Sequence, residues 1–289
     1  MADEQFFETQ RPRIRGLAYR MLGSLADADD VAQETWLRWQ AADQDVIARP
    51  EAWLTTVATR LALDRLRSGA RRRETYPGPW LPEPLVAEPG PEEAAELADS
   101  LTLGFLVLLD QLAPVERAVF VLSDVFDVPF AEIAATVGRS EAACRQIASR
   151  ARRRLRPEKP PARNAASERS LLDGLIGAVA AGDIDAVLAH LAPDVVLLSD
   201  GGPHRRAARR PVVGPYRVSR LLVNLAHRIA DRLEIRPATV NGAPGVLLYI
   251  DGRLDQVLAV ESHDGGISAI HVVRNPEKLS DLGHPVRLE

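Results

Sequence analysis

The segment Phe130–Leu155 constrains the fold of this chain more than any other, because two short apolar-periodic runs meet at a glycine within it. Gly138 stands at the meeting point, where a residue without a side chain adopts a tight or left-handed backbone at low cost. Ser140 precedes the second run in the place of a hydroxyl N-cap, so a helix is expected to begin at Glu141. Three apolar residues at four-residue spacing predict its buried stripe: Ile147, Ala151 and Leu155. The whole pattern is typical of a helix-turn-helix.

The remaining faces of that second helix are predicted to be strongly basic. Residues 129–163 hold nine lysines and arginines against three acidic residues. A surface that follows DNA phosphates carries one sign of charge, whereas a solvated helix face normally mixes both signs. We therefore expect this helix to read duplex DNA. The alternative is an ordinary pair of bundle helices with a charged solvent face.

Composition restricts the remaining possibilities. A chain of 289 residues is long enough for two or three domains, and its net charge of −4 argues against a general polyanion binder. The single cysteine, Cys144, can form neither an internal disulfide nor a thiolate cluster, which fits a reducing cytoplasm. Neither a secretory signal nor an apolar run approaching the ~20 residues of a membrane span is visible. We expect a cytoplasmic protein without a metal, a cofactor or a membrane partner.

Proline-rich stretches divide the chain into modules. Six prolines between Tyr76 and Asp99 exclude regular helix over most of that stretch, and its second half is acidic. Apolar residues at helical spacing occur on both sides of it. The predicted segments are a first all-helical module at 1–75, the proline-rich acidic linker at 76–99, a second all-helical module with the helix-turn-helix at 100–157, a short linker at 158–166 and a third domain at 167–289.

The third domain changes from a helical to an alternating pattern. Ser167–Ala181 and Gly214–Ala230 carry helical spacing, and Asp194–Ser199 is predicted to form a strand between them. Four strand-like runs then follow: Leu233–Val240, Gly245–Ile250, Leu254–Glu261 and Gly266–Arg274. Asn-Gly or Asp-Gly pairs separate these runs and are hairpin turn signals. Helices followed by an antiparallel meander predict an α+β domain with one curved sheet.

Three segments resemble the extracytoplasmic-function group of bacterial sigma factors: DADDVAQETWLRW at Asp27–Trp39, PEAWLTTVATRLALDRLR at Pro50–Arg67, and Leu109–Leu155, which contains the helix-turn-helix. The likeness covers about residues 5–157 and is specific, because all three segments occur in the correct order. It implies an RNA polymerase sigma factor that directs promoter-specific transcription initiation and is not an enzyme.

The third domain resembles the SnoaL-like members of the NTF2-like fold. A sigma factor with such an extension is similar to the SigJ-like subgroup, and two short segments resemble signatures of that subgroup: GPWLPEPL at Gly78–Leu85 and NPEKL at Asn275–Leu279. A third signature, rich in glycine and acidic, corresponds here to Asp200-Gly201-Gly202. The chain departs from it at Pro203-His204, where the subgroup usually has glycine and lysine.

The helix at Asp27–Gln40 is expected to carry an acidic rim opposite its tryptophans. The rim consists of Asp27, Asp30, Gln33 and Glu34. Such a rim suits a basic helical partner on electrostatic grounds. The resemblance implies that the partner is core RNA polymerase, through the clamp helices of its β′ subunit. The alternative is an ordinary solvated helix.

Two sets of residues are expected to contact promoter DNA. The resemblance assigns the −10 element to basic residues of the first module: Arg60, Arg65, Arg67, Arg71 and Arg72. It assigns the −35 element to residues of the reading helix: Ser140, Glu141, Arg145, Gln146, Ser149, Arg150 and Arg153. Arg145 is the best candidate for a bidentate contact with guanine, whereas Arg150 and Arg153 are better placed for phosphates.

The extension is expected to be a built-in regulator that replaces or supplements an anti-sigma factor. Two proline-rich linkers leave the orientation of the modules open, so a third body that holds the first linker could set it. The expected interface consists of Trp80, Leu81, Pro82, Asp200, Gly201, Gly202, Asn275 and Pro276. The cavity of an NTF2-like domain also leaves room for a small ligand, and nothing in the sequence names one.

Two other classes of protein remain open at this point. A helix-turn-helix repressor would usually need a dimerisation element to read paired half-sites, and it would not need the acidic rim. An enzyme fused to a DNA-binding module would need an acid–base pair. Its candidate groups are Asp200, His204, His227 and His271, of which no two are spaced so that contact can be predicted.

Overall fold

The computed structural model describes residues 2–87, 102–155 and 165–283. It divides into two compact units. The first unit contains Met1–Thr75 and Leu106–Pro157, and the second contains Tyr76–Phe105 and Glu158–Glu289. Within the described ranges, every helix is either too short or too polar to cross a bilayer.

The first unit begins with three helices: α1 (Ala2–Leu22), α2 (Leu25–Ala41) and α3 (Pro50–Glu74). Gly23 ends α1 in a left-handed backbone (φ 68°), and the hydroxyl of Ser24 then caps α2 by accepting the Asp27 N–H. Proline opens α3 at the position where a missing N–H costs nothing. The apolar faces of the three helices bury Leu17, Met21 and Leu54, among others, in a common core.

The rest of the first unit is also helical, and helix α4 (Leu103–Asp110) crosses the boundary between the units. The remaining helices are α5 (Pro114–Phe120), α6 (Phe130–Val137) and α7 (Glu141–Arg154). Helix α5 is α-helical only as far as Phe120. A π turn continues from there, because Phe126 N–H bonds to the carbonyl of Val121 five residues earlier.

The helix-turn-helix prediction for α6 and α7 is confirmed. Gly138 has a φ of 67°, and the hydroxyl of Ser140 accepts the Ala143 N–H at 3.2 Å to begin α7. The buried stripe of α7 is shifted from the predicted one, because Ile147 is only half-buried. Its members are Cys144, Ala148, Ala151 and Leu155, which follow the 3.6-residue period more closely than steps of four.

In its described residues, the second unit combines three helices with a curved sheet, as the α+β prediction required. Its helices are α8 (Ala165–Ala181), α9 (Ile184–Ala189) and α10 (Pro215–Ile229). Its strands are β1 (Val86–Ala87), β2 (Leu191–Asp200), β3 (Val212–Val213), β4 (Leu233–Val240), β5 (Ala243–Ile250), β6 (Arg253–His263) and β7 (Gly266–Val273). They lie in the order β1-β4-β5-β6-β7-β2-β3.

The sheet is mixed rather than wholly antiparallel. Strands β4 to β7 form the predicted meander, and positive φ angles at Asn241, Asp251 and Asp264, each followed by glycine, make its hairpin turns. Strand β2 pairs with β7 in parallel. A parallel pair needs a long crossover connection, which α10 and the meander together supply.

Part of the proline-rich linker belongs to this sheet. Val86–Ala87 pairs with the edge strand β4 as β1, an addition that the sequence patterns do not predict. The edge of β4 offers unpaired N–H and C=O groups, to which any extended segment can bond. Helices α8 and α10 lie against the sheet face that carries Val246, Leu258 and Ile270, and an apolar cavity remains between them.

Candidate promoter, polymerase and linker sites

Helix α7 presents a continuous polar surface. Five of the residues predicted to read the −35 element are exposed on it: Arg145, Gln146, Ser149, Arg150 and Arg153. Arg145 Nη2 lies 2.8 Å from Glu141 Oε2, and its guanidinium lies 5.3 Å from the centre of the Phe130 ring. These two contacts hold Arg145 over the start of the helix without burying it. Arg145 therefore remains exposed beside the other polar residues of α7.

The acidic rim on α2 is engaged by a basic residue of α3. Arg65 Nη1 lies 3.1 Å from both Asp27 Oδ1 and Asp30 Oδ2, while Glu34 pairs with Arg38 on its own helix at 2.7 Å. Gln33 is exposed. The structure thus brings residues predicted to bind polymerase together with one predicted to bind DNA. Because the side chains are partly exposed, each pair is weak and can exchange for another partner.

The basic face of α3 also contacts α6, the first helix of the helix-turn-helix. Arg60 donates to the carbonyls of Ala135 and Thr136 at 3.0 and 3.2 Å, and the hydroxyls of Thr56 and Thr136 lie 3.0 Å apart. Arg60 and Arg65, both predicted to bind the −10 element, therefore have protein partners in this structure. No sequence pattern pairs α3 with α6, because the contacting residues are about 75 to 80 positions apart.

The other arginines predicted for the −10 element have fewer contacts. Arg67 is exposed and lies 3.2 Å from Asp64 on its own helix. Arg71 and Arg72 fall in the last turns of α3, but their side chains are outside the described residues.

A buried arginine also joins the two helical modules of the first unit. Arg117 of α5 is 4% exposed and donates to the Met21 carbonyl and to Asp110 Oδ1, both at 2.7 Å. Charge-assisted hydrogen bonds of this kind compensate for burying a guanidinium. Nearby, Arg20 lies 5.4 Å from the centre of the Phe126 ring, and burial lowers the pKa of Arg20 to about 10, so it stays cationic at neutral pH.

A buried cluster in the second unit holds the linker, and we call it the linker clamp: Tyr76, Leu81, Asp200, Asn275 and Lys278. Asp200, at the end of β2, is fully buried and accepts four hydrogen bonds. The donors are Tyr76 Oη at 2.6 Å, Lys278 Nζ at 2.7 Å, and the N–H groups of Leu81 and Gly202, both at 2.9 Å. This number of donors is what a buried carboxylate requires.

The remaining members complete the clamp around Asp200. Lys278 Nζ also donates to the Leu81 carbonyl and lies 4.0 Å from the centre of a Trp80 ring. Asn275 Nδ2 donates to Tyr76 Oη at 3.0 Å. Burial, followed by the hydrogen bond to Asp200, raises the pKa of the Tyr76 hydroxyl, so it remains a donor at any physiological pH.

The glycines beside Asp200 are required by close packing. A Cβ on Gly201 would lie 2.5 Å from the Arg205 carbonyl, and one on Gly202 would lie 2.6 Å from Asn275, at a φ of 58°. Pro82 is buried, and Pro276 opens a short 3₁₀ turn that positions Lys278. The structure thus gathers most of the predicted regulatory residues in one place.

Sequence reasoning missed three residues that join the linker to the C-terminal domain, one on the linker itself and two on the domain. Tyr76 and Lys278 complete the clamp, and Asn241 Oδ1 accepts the Leu85 N–H at 2.9 Å while its own N–H bonds back to the Leu85 carbonyl. One signal was available for Lys278, because it belongs to the NPEKL segment. Lys278 supplies the cation that pairs with Asp200.

The four candidate acid–base groups are not assembled into a site. His204 is exposed and lies 3.6 Å from Glu277, His227 is exposed on α10, and His271 is buried in β7. The carboxylate of Asp200 accepts hydrogen bonds from Tyr76 and Leu81 of the linker. None of them lines the cavity, and among the described residues no histidine, cysteine, aspartate and glutamate side chains cluster so as to hold a metal ion.

Comparisons with known proteins match both helical modules and the chain as a whole. The family model Sigma-70 region 2 matches residues 6–72, and Sigma-70, region 4 matches residues 103–155. The chain is 41% identical to the ECF RNA polymerase sigma factor SigJ of Mycobacterium tuberculosis, over 97% of this chain and 94% of the relative. It is 33% identical to a probable ECF RNA polymerase sigma factor, SigI, of the same species, over 96% and 94%.

A solved structure extends the likeness to three dimensions. The crystal structure of Mycobacterium tuberculosis extracytoplasmic function sigma factor SigJ superposes with a TM-score of 0.78 at 36% identity. The match covers 98% of this chain and 99% of that chain, so it includes the helical modules and the C-terminal domain.

Proposed function

This chain belongs to the extracytoplasmic-function RNA polymerase sigma factors, and from that premise we propose how its parts share the work of transcription initiation. A sigma factor binds core RNA polymerase and promoter DNA, and it is not an enzyme. The repressor and the fused enzyme are therefore set aside.

Helix α7 is the proposed reader of the −35 element. Its exposed polar surface supports this assignment, because a helix needs no rearrangement to present Arg145 and Gln146 to base edges. Arg150 and Arg153 lie further along the same exposed surface, where contacts with phosphates would set the register on the duplex.

The first module is the proposed site for polymerase and the −10 element. Its acidic rim would meet the β′ clamp helices, and the basic face of α3 would meet DNA. Partial exposure of the pairs between Arg65 and the aspartates supports this exchange, since both signs of charge become available when the pairs separate.

The C-terminal domain is the proposed built-in regulator. One observation carries this proposal: the buried carboxylate of Asp200 accepts a hydrogen bond from the backbone N–H of Leu81 in the linker. The linker connects the −10 module to the −35 module, so a domain that holds its path limits the arrangements open to both modules. Regulation would then follow from whether the clamp is closed.

In vitro transcription with purified core polymerase tests these assignments. Templates are genomic fragments, and all protein-dependent start sites are mapped. We expect transcripts that share −35 and −10 elements, with a yield that changes when Asp200→Asn weakens the clamp. The matched control is Asp194→Asn, an exposed position on the same strand. Equal transcript yields from Asp200→Asn and Asp194→Asn would show that the clamp does not regulate transcription. Transcripts without shared elements would refute the promoter assignments.

A further inference from the structure

The C-terminal domain contains an apolar cavity of about 440 Å³, a size within the range of small-molecule sites. Helices α8 and α10 and the inner face of the sheet form its walls, with side chains such as Leu172, Ile176, Leu222, Val246 and Leu258. Leu225 and Arg206 are exposed and also line it, so the cavity reaches the surface. Apolar walls offer water few hydrogen-bond partners, which favours an apolar occupant.

The four polar side chains of the described lining gather at one end. Ser199 of β2 lies opposite Val272 of β7, and Val257 of β6 lies opposite Val273, which places Gln256 beside Arg274. Arg274 Nη1 donates to the Arg206 carbonyl at 2.9 Å, so the loop with Arg206 lies over the same end. Three strands and one loop thus build a polar end on an apolar chamber.

This polar end carries an excess of positive charge. Asp255, whose side chain is 8% exposed, lies 2.8 Å from Arg274 and 3.4 Å from Arg205, so one carboxylate faces two guanidinium groups. Arg206 adds a third, and within the described part of the chain its side chain has no ion pair or hydrogen bond. No carboxylate side chain is among the described lining residues. The field at this end therefore favours an anion.

We propose that the cavity binds a small amphipathic anion, with an aliphatic or ring body in the chamber and a carboxylate-type head at Arg206 and Arg274. Ser199 and Gln256 would complete the hydrogen bonds of the head. None of the described lining residues is a carboxylate, histidine, cysteine, lysine or tyrosine that could act as a general acid or base, so we expect the ligand to be bound and not turned over. This binding site goes beyond the regulatory role proposed above. Its test needs neither polymerase nor DNA, so the two proposals can fail separately.

Isothermal titration of the full-length protein tests the proposal. The probe is dodecanoate below its micelle concentration, compared with dodecanol and with dodecyltrimethylammonium, which share its tail and differ in head charge. We expect one dodecanoate per chain, bound at least about tenfold more tightly than either comparison compound.

Two matched surface variants locate the head group. Arg206→Gln should weaken dodecanoate about tenfold and leave dodecanol unchanged. Arg210→Gln removes an equally exposed arginine of the same loop that does not line the cavity, and it should change neither affinity. Ala226→Trp, which fills the chamber from α10, should abolish binding of both compounds, with circular dichroism as the check on folding.

Several results would overturn the proposal. Absence of dodecanoate binding would do so directly, and equal affinity for the three head groups would reduce the cavity to an unselective apolar site. Equal weakening by Arg206→Gln and Arg210→Gln would assign binding to general surface charge. Binding of several molecules per chain would indicate adsorption and not a built site.

Discussion

The polar contacts of the first unit and the linker clamp of the second differ in burial, and so in what they can do. Arg60 and Arg65 make their contacts at a partly exposed surface, whereas Asp200 and Lys278 meet with side chains 0% and 7% exposed. An exposed ion pair contributes about 0–1 kcal/mol. Removing one partner of a buried pair costs about 3–5 kcal/mol, because the other charge is left without compensation.

The difference shows which contacts are suited to exchange. The contacts of α3 with the carbonyls of α6 and with the aspartates of α2 lie at a partly exposed surface, so their exchange for other partners costs little free energy. The clamp cannot release Asp200 without a replacement for four hydrogen bonds. The function proposed above uses both properties: contacts on the first unit that exchange, and a linker path that the second unit holds.

The largest expected effect concerns the buried contacts of the linker clamp. Asp200→Ala should lower the free energy of unfolding of the second unit by about 3–5 kcal/mol, because four donors, among them the buried Lys278 Nζ, lose the carboxylate that accepts from them. Asp194→Ala on the exposed part of the same strand should change it by less than about 0.5 kcal/mol. Urea unfolding of each variant and of the parent chain measures these two changes in the free energy of unfolding. Similar shifts for the two variants would mean that the buried Asp200 stabilises the unit no more than an exposed aspartate does.

The second prediction concerns exposed polar residues of the first unit, those on α7. Arg145→Ala should weaken binding to −35 DNA by about 1–3 kcal/mol and relax the preference at one base pair. Arg153→Ala should weaken all sequences alike and reduce the salt dependence. Fluorescence anisotropy with the preferred duplex and single-base variants, at two salt concentrations, separates the outcomes. Uniform weakening by Arg145→Ala would remove it as a specificity residue.

The stability of the second unit is expected to depend on pH through a histidine buried in the sheet. Burial lowers the pKa of His271, opposed by nearby Glu261, and its Nδ1 has no hydrogen-bond partner in the described ranges. The folded state therefore keeps His271 neutral, while the unfolded state takes up a proton below about pH 6.5. Stability should fall as pH drops through that value, with a slope of up to about 1.4 kcal/mol per pH unit.

Urea unfolding at pH 7.5 and 5.5 measures this slope. His271→Gln should flatten it, whereas His227→Gln, on the exposed face of α10, should leave it as in the parent chain. An unchanged slope in His271→Gln would mean that other groups cause the acid sensitivity.

The smallest expected effect concerns the contact between α3 and α6. Arg60→Ala should lower the stability of the first unit by about 1 kcal/mol, through the loss of two hydrogen bonds to carbonyls. Arg67→Ala, which removes a more exposed pair on the same helix, should cost less than about 0.5 kcal/mol. A cost above about 3 kcal/mol for Arg60→Ala would contradict the view that this surface can exchange partners.

Sequence patterns predicted the local structure well wherever a few neighbouring residues decide it. The turn at Gly138, the cap at Ser140 and the hairpins after Asn241 and Asp251 all depend on the backbone preferences of one or two residues. The buried stripe of α7 was predicted less accurately, since steps of four drift from the true helical period. The parallel pairing of β2 with β7 left no local signal.

What the sequence by itself determined is therefore the set of elements and the chemistry they carry: a basic reading helix, an acidic rim and a meander closed by glycine turns. Only the tertiary structure decided which of these groups meet. Asp200 contacts Leu81 across 119 positions, and Arg60 contacts Ala135 across 75. Periodicity shows which face of a helix or strand is buried, whereas a contact at that separation depends on how all the intervening elements pack.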